Sequence, residues 1–173
     1  VLIVGYPISL ASSAQWRLTP GEGLKVVTVK FVDGAGNVSA DLTRTVTLSD
    51  TSPPIGWRDF APEWWSGGES TLTCTVRIFD EISGLNVDSA RYRFSTDGGQ
   101  SWSDWAVAAC TGTSSTVEIQ TITASAVPFG QPRETDNRIE FQIADMKGYT
   151  STMSYTVRSE IVYLPLVMKE YSP

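Results

Sequence analysis

Carboxylates are the side chains of this sequence that could do chemistry, because histidine is absent. The chain has 19 aspartates and glutamates, two cysteines and no histidine. Without histidine the commonest general base and metal ligand are missing, and neither a Ser-His-Asp nor a Cys-His site can form within the chain. Glycoside hydrolysis would need two placed carboxylates, and no pair is distinguished by its spacing. We therefore expect no catalytic site and no enzymatic activity.

Three acidic segments offer oxygen atoms that calcium could use. They contain Asp33 with Asn37, Asp80 with Glu81, and Asp145. Calcium usually takes six to eight oxygen ligands, and the sequence has no dense Asp-x-Asp cluster. Aspartate in a turn also accepts hydrogen bonds from nearby backbone amides. We expect these segments to be capped turns, without a bound metal or other cofactor.

The two cysteines, Cys74 and Cys110, lie in the strand-like runs STLTCTVRIFD and WAVAACTG. Two cysteines cannot hold zinc without histidine, and there is no C-x-x-C motif. We expect one structural disulfide between them, with two free buried thiols as the alternative. A disulfide implies an oxidising, extracellular setting.

Three tryptophans, Trp57, Trp64 and Trp65, lie close together in the segment IGWRDFAPEWWSGG. If exposed and coplanar, their rings would form a stacking platform for sugars, as in a carbohydrate-binding module. If buried, they would fill an interface or the base of a packed domain. We favour burial, because a loop with three large aromatic residues seldom leaves all of them in water.

The elements that must position these residues are strands. Runs such as LKVVTVKFVD, TLTCTVRIFD and NRIEFQIAD alternate apolar and polar residues, and Gly, Asn, Asp and Pro separate the runs. Such alternation is typical of an antiparallel sandwich, and no run has the period of a long amphipathic helix. Hydrophobic residues make up 41% of the chain, which is enough for a packed core. The fold class that we predict is all-β.

Charge and hydropathy exclude two classes of partner. The formal net charge is −6, which disfavours a phosphate-binding surface and therefore nucleic acid. The longest nearly unbroken apolar run, IVYLPLVM, is far below the roughly 18 residues of a membrane-spanning helix. We expect neither a nucleic-acid partner nor a membrane span.

An internal repeat relates two parts of the chain. VVTVKFVDGAGNVS aligns with RIEFQIADMKGYTS, so that Val29 falls on Phe141 and Asp33 on Asp145. After a one-residue gap, RTVTL aligns with YTVRS. The offset suits a module of about 110 residues, close to the usual size of an immunoglobulin-like sandwich.

The two copies differ in how much sequence precedes them. About 85 residues lie between the proline pair at 53–54 and the second copy, but only about 26 precede the first. Half a sandwich leaves an open edge and an uncovered apolar face, so either the chain was cut from a longer one or another chain completes it. We predict a partial module over 1–50, a proline-containing linker over 51–56, a complete module over 57–160 and a C-terminal strand or tail over 161–173.

The two terminal segments are candidates for that completion. VLIVGYPISL is apolar on both faces, and such a strand needs cover on both sides. Val1 and Ile3 lie on one face, and Leu2, Val4 and Tyr6 lie on the other. EIVYLPLVMKEY has the same character. Each could be an internal strand of its own module, or a donor strand inserted into a neighbouring copy through main-chain hydrogen bonds.

The stretch FSTDGGQSWSDW looks most like a functional motif, and we expect it to be a hairpin. Ser95, Asp97, Gly99 and Trp102 follow the pattern S-x-D-x-G-x-x-W. The pattern resembles the Asp-box of sialidase-like propellers, where the box is a fold element away from the catalytic centre. Asp97 can accept backbone hydrogen bonds, Gly99 can adopt a positive φ, and Trp102 can pack across the hairpin.

Several segments resemble bacterial immunoglobulin-like repeats of large secreted and surface proteins. VDGAGNVS is similar to their D-x-A-G-N turn, DEISGLNVDSARYRFSTDGGQSWSDW resembles a module of the same class, and VYLPLVMK resembles the tails of bacterial secreted proteins. The second copy departs from the turn pattern, with DMKGYTS. The resemblance implies an immunoglobulin-like antiparallel β-sandwich outside the cell or at its surface.

Repeat and resemblance together favour a structural role. We expect a non-catalytic structural or adhesion protein that assembles with other copies of itself through strand exchange, into a surface polymer or filament. The alternative is a carbohydrate-binding module appended to a secreted enzyme, whose partners would be surface glycans. An exposed Trp57–Trp65 cluster would favour the alternative, and a buried one would favour assembly.

Overall fold

The computed structural model describes residues 13, 15–65, 70–115, 117–129 and 137–159, and over these residues the chain is all-β. The fold class predicted from the alternation is thereby confirmed. No helix in this part of the chain is long and apolar enough to cross a membrane. The strands are β1 (Gly23–Val29), β2 (Leu42–Leu48), β3 (Ile55–Ala61), β4 (Trp64–Trp65), β5 (Leu72–Phe79), β6 (Leu85–Ser95), β7 (Ala106–Val107), β8 (Ala109–Cys110), β9 (Gln120–Val127), β10 (Asn137–Asp145) and β11 (Thr150–Ser159).

Two of the three sheets pack together as a sandwich. One has the strand order β4–β11–β10–β6–β7 and the other β3–β5–β9–β8. The pairs are antiparallel except for β4 with β11. Both sheets contribute to one buried hydrophobic cluster, whose members are Trp65, Cys74, Val76, Ile78, Leu85, Ala90, Ala108, Ile122, Ala124, Val127, Phe129, Ile139, Phe141, Ile143 and Val157.

The alternation of β10 shows how the sequence builds this core. Ile139, Phe141 and Ile143 are fully buried, and the residues between them are partly or fully exposed. Successive side chains of a strand point to opposite faces, so every second residue of β10 enters the core. Phe141 makes an edge contact with Phe60 of β3 at 6.5 Å between ring centroids, which joins the two sheets.

The chain crosses from one sheet to the other between β3 and β4. β3 pairs with β5 at the edge of one sheet, with register shifts at two points, and β4 pairs with β11 at the edge of the other. Gly56 and Asp59 of β3 have positive φ values of 75° and 53°. Such irregularities make a strand a poor template for a further strand, so this edge is protected against unwanted pairing.

The β1–β2 hairpin forms a two-stranded sheet of its own. Val29 pairs with Leu42, whereas the bridge nearer the turn joins Val32 to Val38, which shifts the register by one residue. The pairing of β10 with β11 has no such shift. The one-residue gap needed to align the two copies of the repeat therefore corresponds to an extra residue in the first hairpin.

The expected disulfide between Cys74 and Cys110 is wrong, because both cysteines are free. Cys74 lies on β5 and pairs with Ala124 of β9, while Cys110 lies on β8 and pairs with Ile122 of β9. β9 thus separates the two cysteine strands, which puts them two strand spacings of roughly 4.8 Å apart. A disulfide needs Cα atoms within about 7 Å, so the sheet order excludes it. The alternative of two free buried thiols holds in part, because both thiols are free but only Cys74 is buried, and Cys110 is partly exposed.

Candidate functional site

The stretch FSTDGGQSWSDW forms the turn between β6 and β7. Asp97 Oδ1 accepts hydrogen bonds from the Ser101 amide at 2.9 Å and from the Ser95 hydroxyl at 2.8 Å. Hydrogen bonding, first of all from the Ser101 side chain, holds the pKa of Asp97 well below its usual range. Gly99 has a φ of 91° and donates its amide to Ser95 Oγ at 2.8 Å. The polar groups of this motif are engaged inside the turn, as a structural hairpin requires.

Two tryptophans of this turn enclose an arginine. The guanidinium of Arg93 lies 4.9 Å from the ring centroid of Trp102 and 4.7 Å from that of Trp105. The same guanidinium forms an ion pair with Glu140 on the neighbouring strand β10. Cation–π contacts with two rings, together with a charge-assisted hydrogen bond, tie the turn to the sheet.

The three tryptophans Trp57, Trp64 and Trp65 do not form a common exposed surface. Trp65 is only 5% exposed and belongs to the core. Trp57 is half-buried and donates its indole N–H to Ser151 Oγ at 2.8 Å. Trp64 is 55% exposed, and the guanidinium of Arg158 lies 5.5 Å from its ring centroid. One exposed ring out of three is a small surface for stacking a sugar.

The aligned turns of the two repeat copies have the same hydrogen bonds. Asp33 Oδ1 accepts hydrogen bonds from the amides two and four residues further on, at 2.9 and 2.8 Å. Asp145 Oδ1 does the same at 2.7 and 2.9 Å. Gly36 and Gly148, at equivalent positions, both have a φ of 88° and donate to the carbonyl of the aspartate. The capped turns predicted at these two aspartates are confirmed.

The first hairpin differs from the second in what covers it. Val29 is 43% exposed and Phe31 is 54% exposed, whereas the aligned Phe141 and Ile143 are fully buried. The outer edge of β10 pairs with β6, and β1 has no such partner strand among the described residues. The large apolar residues exposed on this hairpin and its turn are Leu24, Val26, Val29, Phe31, Val32, Val38, Leu42 and Val46. Leu24 and Val26 lie on one face of the hairpin, and Val29, Leu42 and Val46 lie on the other, so both faces expose apolar side chains. Exposed apolar area of this extent favours an interaction site.

Three buried aspartates converge where the hairpin meets the sandwich. Asp50 follows β2, Asp80 follows β5, and Asp145 ends β10. One carboxylate oxygen of each lies within 4.8 Å of the other two, and none of the three residues is more than 5% exposed. At an effective dielectric constant of 20, two unit charges at that distance repel by about 3 kcal/mol. Three such charges need a compensating partner.

Backbone amides and hydroxyls orient these carboxylates without neutralising them. Asp80 Oδ1 accepts hydrogen bonds from the amides of Ile82 and Gly84 at 3.0 and 2.8 Å. Asp50 Oδ2 accepts a hydrogen bond from Ser83 Oγ at 2.5 Å. Asp145 Oδ2 is buried and has no hydrogen-bond partner. Burial, with the neighbouring carboxylates, raises the pKa of Asp145.

The three aspartates Asp50, Asp80 and Asp145 form an acidic junction between the hairpin and the sandwich. Lys147, two residues after Asp145, is already paired with another carboxylate. Lys147 Nζ lies 3.0 Å from Glu22 Oε2, and this hydrogen bond is the main cause of the raised pKa of Lys147. Glu22 Oε1 in turn accepts a hydrogen bond from the Asp50 amide at 3.1 Å. Through these two bonds Glu22, just before β1, is joined to Asp50 after β2 and to Lys147 of the sandwich. Glu22 is the main ionic partner of Lys147.

Comparison with known proteins identifies no relative. No protein-family model matches the chain, and no curated protein or solved structure matches it significantly.

Sequence reasoning missed the convergence of the aspartates. Asp80 and Asp145 were expected in separate capped turns, and Asp50 was not singled out. Asp50 lies in SDTSPP, which has the composition of an ordinary turn, and it is 30 and 95 residues from its two partners, so no local spacing could reveal the cluster. The expected donor residues Val1, Leu2, Ile3, Val4 and Tyr6, and the second donor segment EIVYLPLVM, lie outside the described residues.

Proposed function

We propose that the protein is a non-catalytic, secreted structural protein of immunoglobulin-like modules, which assembles with further copies of itself through strand exchange at the cell surface. The observation that carries the proposal is the uncovered β1–β2 hairpin. Val29, Leu42 and Val46 share one of its faces and are each 43–48% exposed. This face corresponds, through the repeat, to the core face of β10, and it has no cover among the described residues. It also carries Lys25 and Arg44, which lie opposite Val46 and Val27.

The strand order supports the immunoglobulin-like part of the proposal. In that fold, strands A, B, E and D form one sheet and C, F and G form the other. Taking β3, β5, β6, β8, β9, β10 and β11 as A to G gives the sheets A–B–E–D and G–F–C in the observed order. β7 then lies beside C as an additional edge strand.

Strand exchange would supply what the hairpin lacks. A donor strand along the free edge of β1 would occupy the place that β6 has beside β10, and its backbone would satisfy the edge amides and carbonyls. We assign the segment Val1–Leu10 of a second copy as donor, because its residues are apolar on both faces. Such a contact joins unlike surfaces of two copies and propagates head to tail, which would generate a filament.

The carbohydrate-binding alternative has weaker support. A platform for sugar rings would need several exposed, coplanar aromatic side chains. Trp64 is exposed, but Trp65 belongs to the core and Trp57 is half-buried. Binding of soluble glycans to the full chain, lost in a Trp64→Ala variant, would restore this alternative.

The proposal predicts that the full chain assembles and that its assembly depends on residues 1–10. Light scattering after size exclusion and negative-stain electron microscopy of the full chain should show concentration-dependent oligomers or fibres. Deleting residues 1–10 should leave a monomer whose circular dichroism retains the sheet signal of the sandwich. If deletion of residues 160–173 has this effect instead, the donor is the C-terminal segment.

A matched pair of substitutions on β1 tests the surface itself. Val29→Glu puts a charge on the face that corresponds to the core, and Thr28→Glu puts the same charge on the opposite face one residue away. We expect Val29→Glu to reduce assembly by at least about tenfold, since burying an unpaired charge in an interface is costly, and Thr28→Glu to have little effect. A full chain that stays monomeric at high concentration would contradict the proposal.

A further inference from the structure

The acidic junction has the dimensions of a site for a hard divalent cation. Calcium binds oxygen ligands at about 2.3–2.6 Å, so two ligands on opposite sides of one ion lie about 4.8 Å apart. One carboxylate oxygen from each of Asp50, Asp80 and Asp145 lies within 4.8 Å of the other two. Magnesium demands near-ideal octahedral geometry and usually keeps several of its waters, so a site built from three protein carboxylates suits calcium better.

A second observation points to a ligand independently of this clustering. Asp145 is 1% exposed, and its Oδ2 is buried without a hydrogen-bond partner. Its other oxygen is held by the backbone amides of the turn, which leaves Oδ2 as the oxygen available to an ion. A buried, unpartnered carboxylate oxygen next to two further buried carboxylates is costly unless a cation neutralises them.

We propose that Asp50, Asp80 and Asp145 bind one Ca²⁺ ion at the junction of the β1–β2 hairpin with the sandwich. Each carboxylate is oriented by hydrogen bonds from the protein, as ligands of a built metal site are. Water would complete the coordination sphere of six to eight oxygens. Lys147 pairs with Glu22, and its interactions with Asp50 and Asp145 are weaker than this ion pair.

The aligned turn of the first hairpin shows what a capped turn without such a site looks like. Asp33 has the same backbone hydrogen bonds as Asp145, but it is exposed and its Oδ2 accepts a hydrogen bond from the Asn37 side-chain amide at 2.8 Å. Within the part of the chain that the structure describes, no group of three metal-binding side chains includes Asp33. The cation site therefore comes from the convergence of three elements and not from the turn motif.

The bound ion would fasten the segment after β2 to the ends of β5 and β10. The direct contacts across this junction are polar. The Gly21 amide donates to the Glu81 carbonyl at 2.8 Å, Ser83 Oγ donates to Asp50 Oδ2 at 2.5 Å, and ion pairs join Arg17 to Glu81 and Lys147 to Glu22. The ion would add three metal–oxygen bonds to these contacts. Calcium would thus fix the direction in which the hairpin leaves the sandwich. The inference does not depend on strand exchange, because the three ligands belong to one chain.

Thermal unfolding of the full chain with calcium or with a chelator tests the proposal. Because an ion that binds only the folded state stabilises it by mass action, 10 mM CaCl₂ should raise the unfolding midpoint by at least about 5 °C relative to EDTA. Magnesium at the same concentration should give a clearly smaller shift. Calorimetric titration with CaCl₂ should give one site per chain, and Asp50→Asn, Asp80→Asn and Asp145→Asn should each weaken it by at least about tenfold.

A matched variant and a second readout separate a calcium site from a structural role of the same residues. Asp33→Asn removes a carboxylate from the equivalent turn and should keep the full calcium shift. In EDTA, Asp145→Asn should unfold at or above the wild-type temperature, since it removes a buried, unpartnered charge. A wild-type midpoint that does not respond to calcium, or an equal calcium shift in Asp145→Asn and Asp33→Asn, would overturn the proposal.

Discussion

Phe141→Ala is expected to lower the free energy of unfolding by about 4 kcal/mol. Phe141 is fully buried at the centre of β10 and makes edge contacts with the rings of Phe60 and Tyr155, each at 6.5 Å between centroids. Those rings stack on each other at 4.3 Å, so the cavity left by alanine cannot close without moving a stacked pair. Chemical denaturation followed by tryptophan fluorescence measures the change.

The control for this substitution is the aligned residue of the first copy. Val29→Ala removes apolar volume at the position that corresponds to Phe141, but Val29 is 43% exposed in the isolated chain. We expect a loss of less than about 1 kcal/mol under conditions in which the chain is monomeric. A loss as large as that of Phe141→Ala would mean that the first hairpin is covered within a single chain, and would contradict the assembly proposal.

Gly84→Ala is expected to cost about 3 kcal/mol of stability, because the position has neither the conformation nor the space for a side chain. Gly84 has a φ of 78°, and a Cβ there would lie 2.4 Å from the carbonyl carbon of Ser115. The Gly84 amide donates a hydrogen bond to Asp80 Oδ1, and the Gly84 carbonyl accepts one from the Met146 amide. A shift of the Gly84 backbone would therefore weaken both hydrogen bonds. The conformational strain of alanine at a positive φ and the steric overlap of its Cβ with the Ser115 backbone both lower the stability of the folded state.

Gly34→Ala is the matched control. Gly34 lies in the exposed turn of the first hairpin, its φ is not positive, and no atom lies within 4 Å of the position of an added Cβ. The unfolding midpoint of this variant should stay within about 1 °C of that of the wild type, and Gly84→Ala should lower it by roughly 10 °C. Equal stability of the two variants would show that the Gly84–Ser115 approach is not a constraint in solution.

Local patterns predicted much of the fold, because a strand's alternation and a turn's composition act over a few residues. The burial of Ile139, Phe141 and Ile143 follows from period two, and the turns at Asp33 and Asp145 follow from aspartate caps and a glycine with positive φ. The hairpin at Asp97 follows from the same chemistry. In each of these cases the determining contacts lie within a few residues of one another in sequence.

Contacts between distant residues were predicted poorly. The prediction of a disulfide was wrong because the order of strands in a sheet decides which cysteines are close together. The residues around Cys74 and Cys110 do not indicate that β9 lies between their two strands. The acidic junction was missed for the same reason. Asp50, Asp80 and Asp145 come from the ends of three elements, and only the assembled sandwich brings these ends to one place.

The reactivity of the two free thiols reports local opening of the sandwich. Burial raises the pKa of Cys74 to about 12 and that of Cys110 to about 11, so at neutral pH almost none of either thiol is in the thiolate form that reacts with alkylating reagents. Alkylation of the buried Cys74 therefore requires local opening of β5, and the partly buried Cys110 should react faster after β8 separates from β9. The rate of labelling at each cysteine, read by mass spectrometry, therefore reports how often that part of the sheet opens under conditions in which the protein is otherwise folded.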